Sequence, residues 1–316
     1  MNENSLSPNS PSHVPVLLHE AVNGLAIRAG GRYIDATYGR GGHSTLLLGS
    51  LGASGRLMAV DRDPEAVEHA RQKFNGDSRV TVRQMNFADL AVALHGSEWS
   101  GEVDGLLMDF GVSSPQLDVA ERGFGFSRDG ELDMRMDPDS GQSAAQWLAT
   151  VSESELMRVL KDYGEERYAK RIAAAIVAAR KLRPIVRTAQ LANIVKQAHP
   201  RWERHHHPAT RSFQAIRIRI NNELDAIAQA LTAAPSILCK GGRLCVISFH
   251  SLEDRMVKRA LRRPVPDPDI PRHLPQPQQQ AHPWKQIGKA VKASSKEQSL
   301  NPRSRSAVLR IAERVT

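Results

Sequence analysis

Three aspartates stand where the sequence could do chemistry, because each closes a short apolar segment typical of a buried strand. The segments RYID, LMAVD and VDGLLMD end in Asp35, Asp61 and Asp109. In an open α/β sheet, ligands bind beyond the carboxyl ends of the parallel strands, so we expect these carboxylates to face one crevice. Acids are also common in turns and caps, but acids at three strand ends favour a shared ligand site.

A glycine-rich turn follows Asp35 and leads into a predicted helix. Its sequence, DATYGRGGHS, lets the backbone approach a ligand because glycine carries no Cβ. The spacing differs from the G-x-G-x-x-G of dinucleotide-binding proteins, and Asp35 would repel a pyrophosphate yet could bind an ammonium group. Asp61 can accept hydrogen bonds from both hydroxyls of a ribose. Together these residues favour S-adenosylmethionine over NAD, with a nicotinamide-dependent oxidoreductase as the alternative.

Strand-like and helical segments alternate in the first half of the chain, as in βαβ units around a parallel sheet. We predict strands at residues 32–35, 57–61, 80–83, 103–109, 244–249 and, as a last edge strand, 306–311. Helices are predicted at 44–51 and 64–74, the second with Asp63 as its N-cap.

The stretch between the fourth and fifth predicted strands is too long for a single crossover. Three helices are predicted within residues 151–199, the first with Ser152 and Glu155 as a capping box, and a fourth begins near Ala209. We therefore expect an all-helical subdomain inserted into an α/β domain.

The net charge of +9 is unevenly distributed along the chain. Residues 1–150 carry a net charge of −8 and residues 221–254 a net charge of −2, whereas residues 151–220 carry +9 and residues 255–316 carry +10. Such segregation suits a polyanion such as RNA, although basic segments are also common as solvated surfaces.

Several other protein classes fit the sequence poorly. No apolar segment approaches the roughly 18 residues that a membrane span requires, and Cys239 and Cys245 have no metal-binding spacing. The first twelve residues lack a signal-peptide pattern. We expect a cytoplasmic protein with a disordered tail at 1–12 and a disordered Pro- and Gln-rich loop at 263–283. The adjacent histidines at 205–207 are interpreted as a polar loop, so no metal is predicted.

Long motifs follow one another over almost the whole chain. They are HVPVLL at 13–18, DATYGRGGH at 35–43, DRDP at 61–64, DFGVSSPQ at 109–116, ERGF at 121–124, LDMRMD at 132–137, YGEER at 163–167, HPATRSFQA at 207–215, ISFHSLED at 247–254 and NPR at 301–303. In this order they closely resemble the RsmH (MraW) family of bacterial small-subunit ribosomal RNA cytosine-N4 methyltransferases.

The resemblance implies a fold, an activity and a partner. The fold is a class I S-adenosylmethionine-dependent methyltransferase with a Rossmann-like, mostly parallel sheet at residues 13–115 and 212–316, and a helical insert at 116–211 for substrate recognition. The activity is methylation of the exocyclic N4 amino group of a cytidine in small-subunit (16S) ribosomal RNA. S-adenosylmethionine is the implied cofactor, and ribosomal RNA within the small ribosomal subunit is the implied partner.

The resemblance also implies a set of site residues. The implied cofactor contacts are Gly41, Gly42, His43, Asp61, Phe87, Asp109 and Gln116, and Asp35 joins them by its position before the glycines. A cytosine amino group is a poor nucleophile because its lone pair is delocalised into the ring, so the site must orient it and accept its protons. Asp109 is the first candidate for that acceptor and His250 the second, although His250 also fits a structural turn. Phe87 would pack on the adenine, but it equally fits the core.

Residues that could contact RNA are spread along the chain. Candidate stacking surfaces for an extruded base are Phe110, Phe124, Phe126 and Trp202, and candidate phosphate contacts are Arg167, Lys170, Arg171, Arg211, Arg217, Arg303 and Arg305. The chain departs from the family pattern at Ala36, Phe110 and Gly125, where glycine, leucine and serine are expected. Phe110 flanks the expected reaction site and could change the shape of the base pocket.

Two further functions stay open on the sequence alone. One is methylation of another nucleic-acid base, although the turn DFGVSSP does not match the acid-Pro-Pro-aromatic turn of many DNA amino methyltransferases. The other is a non-catalytic ribosome-assembly factor with the same fold, against which the three acids argue. The oligomeric state is also open, with a homodimer as one option.

Overall fold

The computed structural model describes residues 15–201, 207–262 and 282–316. The predicted tail at 1–12, most of the predicted loop at 263–283, Trp202, and the histidines at 205 and 206 lie outside these residues. The strands are β1 (Arg32–Asp35), β2 (Arg56–Asp61), β3 (Val80–Gln84), β4 (Val103–Asp109), β5 (Leu238–Ser248), β6 (Trp284–Gln286), β7 (Val291–Lys292) and β8 (Val308–Arg314). The helices are α1 (Leu18–Gly24), α2 (Gly42–Gly49), α3 (Pro64–Lys73), α4 (Leu90–Leu94), α5 (Ser114–Asp118), α6 (Ala144–Thr150), α7 (Glu153–Gly164), α8 (Ala169–Leu182), α9 (Thr188–Ala198), α10 (Thr210–Asn221), α11 (Glu223–Ile237), α12 (Ser251–Leu261) and α13 (Ser295–Leu300).

The sheet has the strand order β3-β2-β1-β4-β5-β8-β6, and the first five of these strands run parallel to one another. Asp35 at the end of β1 pairs with Ala59 of β2 and Leu107 of β4. Side chains two positions apart on a strand point to the same face of the sheet. Asp61 on β2 and Asp109 on β4 therefore point to the same face as Asp35, two residues beyond its pairing partners. The predicted convergence of the three aspartates at one sheet edge is confirmed, and so is the Rossmann-like, mostly parallel fold class.

The predicted last strand is present, but its prediction as an edge strand is wrong. β8 runs antiparallel to β5 on one side and pairs with both β6 and β7 on the other. The chain after residue 282 returns along β8 and buries Trp284, which is 3% exposed. β6 and β7 have three and two residues, too short for an alternating pattern to reveal them.

The sheet is buried on both faces, which explains why its strands have nearly continuous apolar sequences. Ile34 and Met108 point to one face and pack with residues of α11. Tyr33 and Leu107 point to the opposite face and pack with residues of α1 and α2. This packing makes β1 and β4 a rigid support for the side chains at their carboxyl ends.

A second apolar cluster lies within residues 132–216 and is built from α6, α7, α8, α9 and α10. Ser152 accepts a hydrogen bond from the N–H of Glu155 at 3.1 Å, which is one half of the predicted capping box. Asp63 likewise caps α3, as predicted, by accepting from the N–H of Glu65 at 3.0 Å. Phe213 and Ile216 belong to this cluster although they follow residue 211. The division into 13–115, 116–211 and 212–316 stays a prediction.

Substituting Gly123 should lower the stability of the protein. Its φ is +74°, and a Cβ there would lie 2.3 Å from the carbonyl oxygen of Glu131. Gly141 is the matched control, since its φ is +69° but a Cβ there would have no atom within 4 Å. Alanine at residue 141 should lower the free energy of unfolding by about 1 kcal/mol, because the backbone there is left-handed. We expect a loss larger by about 2 kcal/mol at residue 123, because the backbone must also move. Equal losses in urea denaturation of Gly123→Ala and Gly141→Ala would contradict the steric argument.

Candidate active site

Asp35 lies under the glycine-rich turn and is 1% exposed. Its Oδ2 accepts a hydrogen bond from the Ser44 hydroxyl at 2.6 Å, and its Oδ1 accepts from the N–H of Thr37 at 3.3 Å. Burial raises the pKa of Asp35, although the nearby His43 and these hydrogen bonds oppose the increase. The carboxyl group thus connects the turn to the start of α2, and it is itself buried.

Of the three aspartates at the carboxyl edge of the sheet, Asp109 has the most unused hydrogen-bonding capacity. Within the described part of the chain, its Oδ1 is buried without a hydrogen-bond partner, and its Oδ2 lies 3.9 Å from Nδ1 of His43. Its backbone N–H donates to the Thr37 hydroxyl at 2.6 Å, which fixes the end of β4 against the turn. Burial raises the pKa of Asp109 well above its ordinary value, and repulsion from Asp35 and Glu253 adds to the increase. The Asp109 side chain is 23% exposed, so a ligand that donates hydrogen bonds or carries positive charge can reach it and satisfy the buried Oδ1.

His43 is 5% exposed and lies close to both Asp35 and Asp109, with its Nδ1 3.9 Å from Asp109 Oδ2. Burial lowers the pKa of its imidazole, although the charge of Asp35 opposes this. A neutral imidazole leaves the negative charge of this crevice largely uncompensated.

Asp61 presents its carboxylate beside the same turn. Its Oδ2 accepts from the N–H of Gly39 at 2.8 Å, and its Oδ1 accepts from the N–H of Asp63 at 2.9 Å. Burial raises the pKa of Asp61 to about 6, outweighing these two hydrogen bonds. Each oxygen has a further lone pair, so the group can still accept two hydroxyl groups.

At Gly41 and Gly42, a side chain would collide with neighbouring residues of the protein. Gly41 has a φ of +68°, and a Cβ there would lie 2.3 Å from the ring of Tyr38. A Cβ at Gly42 would lie 2.0 Å from Pro15. The contacts that explain these glycines are therefore contacts within the protein, and their direct contact with a cofactor stays a prediction.

Phe87 follows β3, and Gln116 lies on α5 after β4. Phe87 is half-buried, and its ring centre lies 5.7 Å from that of Phe110. Gln116 is 4% exposed; its Oε1 accepts from the N–H of Ser113 at 2.9 Å and its Nε2 donates to Asp63 Oδ2 at 2.8 Å. Gln116 thus joins the turn after β4 to the turn after β2. The predicted cofactor contacts of both residues stay predictions.

His250 precedes α12 and is held by Glu253. Its Nε2 lies 3.0 Å from Glu253 Oε1, and Glu253 Oε2 accepts from the N–H of Phe249 at 2.7 Å. Burial raises the pKa of Glu253, but the adjacent His250 and the charge of Arg217 leave it below its ordinary value. Sequence reasoning missed Glu253, although the His-x-x-Glu spacing at the start of a helix was a usable signal.

Three predicted RNA contacts are wrong in this structure. Phe110 and Phe124 are 3% and 5% exposed and belong to the interior, so they offer no stacking surface for a base. The Arg217 side chain is only 15% exposed and makes two hydrogen bonds of 2.8 Å with Glu223, so it is not available to a phosphate. Phe126 packs against Phe213 with ring centres 4.8 Å apart. Sequence position alone could not separate these residues from surface ones, because their burial depends on distant parts of the chain.

Membrane-spanning and metal-binding features are both missing from residues 15–201, 207–262 and 282–316. No helix among them is long and apolar enough to span a membrane. No group of three or more His, Cys, Asp or Glu side chains in these ranges is arranged to hold a metal ion.

Comparison with known proteins gives a matching family model and similar relatives. The sequence model of the MraW methylase family matches residues 10–315. The chain is 53% identical over 308 residues to the ribosomal RNA small subunit methyltransferase H of Thioalkalivibrio sulfidiphilus, covering 97% of this chain and 98% of the relative. It is 52% identical over 319 residues to the protein of the same name from Nitrosococcus oceani, covering 100% of both. A solved rRNA methylase from Streptococcus thermophilus aligns with 10% identity and a TM-score of 0.43, over 96% of this chain and 100% of that one.

Proposed function

Because the chain belongs to the MraW methylase family, we propose that this S-adenosylmethionine-dependent methyltransferase methylates the N4 amino group of a cytidine in small-subunit ribosomal RNA. One observation in the site carries the proposal. Asp109 places a buried carboxyl oxygen without a partner in the described structure at the end of β4, at the same edge of the sheet as Asp35 and Asp61. Such an oxygen suits an amino group, which has hydrogens to donate.

The cofactor fits the charge of this crevice. Burial raises the pKa values of Asp35, Asp61 and Asp109, and nearby acids add to the increase for Asp61 and Asp109. A pyrophosphate would add negative charge, whereas the sulfonium and ammonium groups of S-adenosylmethionine add positive charge. Asp35 would hold the ammonium group and Asp61 the ribose hydroxyls, with His43 beside them. When bound, the cofactor supplies a methyl group on a sulfonium as the electrophile.

Cofactor binding should therefore release protons near pH 6. Positive charge and donated hydrogen bonds favour the ionised carboxyls and lower their pKa values on binding. Affinity for S-adenosylmethionine should rise with pH until Asp61, with a pKa of about 6 in the free protein, is fully ionised. Calorimetry at pH 6 in two buffers of different ionisation enthalpy measures the proton release. A binding enthalpy independent of the buffer would contradict this account.

Asp109 would orient the acceptor. An ionised Asp109 Oδ1 can accept one hydrogen of the N4 amino group and hold the nitrogen toward the methyl group, which lowers the entropic part of the barrier. The Thr37 hydroxyl fixes the Asp109 backbone, so the carboxyl has a set position. The target base must leave its stack, or already be unpaired, to reach a crevice at this depth.

The RNA target follows from the relatives and from charge. The two relatives are named ribosomal RNA small subunit methyltransferases, and the net charges of +9 and +10 on residues 151–220 and 255–316 suit a polyanion. Lys161, Arg167 and Lys170 border a surface cavity of about 450 Å³ beside α7 and α8. They are available to phosphates within the described structure, in contrast to Arg217. A ribosomal RNA substrate also agrees with the expected cytoplasmic location.

Incorporation of labelled methyl groups distinguishes a methyltransferase from a non-catalytic ribosome-assembly factor. Small ribosomal subunits from cells lacking this enzyme are incubated with the protein and labelled S-adenosylmethionine, and large subunits serve as the control substrate. We expect label in the small subunit only. Tight binding of small subunits without any transfer would support the assembly-factor alternative instead.

A further inference from the structure

The motifs at residues 121–124 and 132–137 have no part in the chemistry proposed above, yet the structure joins them. Arg122 Nη2 donates to the carbonyls of Arg135 and Met136 at 3.2 and 2.9 Å. The N–H of Met134 in turn donates to the carbonyl of Arg122 at 3.0 Å. The Arg122 side chain is only 10% exposed, so it is a fixed element of this part of the chain.

The same guanidinium also reaches the turn that follows β2. Its Nη1 lies 2.9 Å from Asp63 Oδ2 and 3.4 Å from Glu65 Oε2. The Asp63 side chain is 4% exposed and accepts from Gln116 Nε2 at 2.8 Å. A carboxylate buried to this degree depends on its charged partner, because removing one member of a buried pair leaves an uncompensated charge.

Asp63 is linked directly to the predicted ribose acceptor. Its backbone N–H donates to Asp61 Oδ1 at 2.9 Å, while the N–H of Gly39 holds the other oxygen at 2.8 Å. The orientation of the Asp61 carboxylate therefore depends on where the backbone of residue 63 lies. The ion pair with Arg122 is one of the contacts that fix that position.

We infer that Arg122 is a positioning residue for the cofactor site, which holds the turn at residues 61–63 so that Asp61 faces the ribose. The inference rests on the proposed function, because it takes Asp61 as the acceptor of the ribose hydroxyls. It also gives the motif at 121–124 a role, since a residue outside the sheet sets the geometry of a cofactor contact through Asp63.

The test compares two ligands on the purified full-length protein. Calorimetry gives the Kd of S-adenosylhomocysteine and of its 2′,3′-dideoxy analogue, which lacks the ribose hydroxyls. Wild type should prefer the first by about tenfold or more, since hydrogen bonds to a carboxylate are strong. Arg122→Gln should reduce this preference to about threefold or less, and Arg122→Lys should retain part of it. Arg128→Gln removes an exposed charge six positions away and should leave the preference unchanged.

Asp63→Asn removes the same ion pair from the other side, and asparagine still caps a helix well. It should lower the preference as Arg122→Gln does, and the double variant should lower it little further. If Arg122→Gln does not fold, the Asp63→Asn variant alone still tests whether the ion pair positions Asp61. If both ligands weaken by the same factor in both single variants, Arg122 only stabilises the protein and the inference is overturned. If wild type shows no preference, the ribose contact in the proposed function is wrong, and the inference falls with it.

Discussion

Asp109→Asn is expected to lower kcat for methyl transfer about 100- to 1000-fold, the range typical of losing a positioned proton acceptor. Asparagine keeps the shape of the side chain but loses its charge, and its amide hydrogens would oppose those of the N4 amino group. The loss should appear in kcat rather than in binding, because the proposed role of Asp109 is to act on the nucleophile. Affinity for S-adenosylmethionine should change less than about tenfold, the loss of one nearby charge.

Asp225→Asn is a suitable control for this experiment, because Asp225 is exposed on α11. It removes the same charge without touching the crevice, so its kcat should match that of wild type. Full activity of Asp109→Asn, together with ordinary cofactor binding, would show that Asp109 is not the acceptor. His250, held by Glu253, would then be the next residue to substitute.

Asp61→Asn should weaken binding of S-adenosylmethionine about 100-fold, because the proposed site has two ribose hydroxyls donating hydrogen bonds to this charged acceptor. The amide group of asparagine would also meet one of the two N–H donors, from Gly39 or Asp63, that now point at the carboxylate. The effect should appear as a raised Kd and KM, with kcat at saturating cofactor closer to that of wild type.

The pH dependence gives this variant a second readout. Wild type should lose affinity as pH falls below about 6, since protonation of Asp61 would remove the charged acceptor. Asp61→Asn has no such group, so its affinity should vary less with pH between 5 and 7, the range around the Asp61 pKa of about 6. Calorimetry at each pH measures both proteins. An unchanged pH profile in the variant would assign the titration to Asp35 or Asp109 instead.

The sheet and its three acids were predictable because their signals are local. Apolar segments that end in an acid mark the carboxyl ends of parallel strands, and Asp35, Asp61 and Asp109 follow from that pattern alone. The cap formed by Asp63 was predictable for the same reason, since it depends on residues two positions apart.

The remaining features depend on contacts between distant residues. Arg122 meets Asp63 across 59 positions of sequence, and no local pattern specifies that pair. Phe110 looked like a flank of the reaction site, but its ring turns into the core beside Phe87. The position of β8 inside the sheet depends on β6 and β7, which are too short to carry a periodic signal.

Identification of the methylated nucleoside tests the central claim most directly. Small subunits labelled by the wild-type protein are digested to nucleosides, and the labelled product is separated by chromatography and identified by mass spectrometry. The account predicts N4-methylcytidine as the labelled nucleoside, and its loss with Asp109→Asn. Label on another base, or on the cytosine ring or ribose rather than on N4, would contradict it.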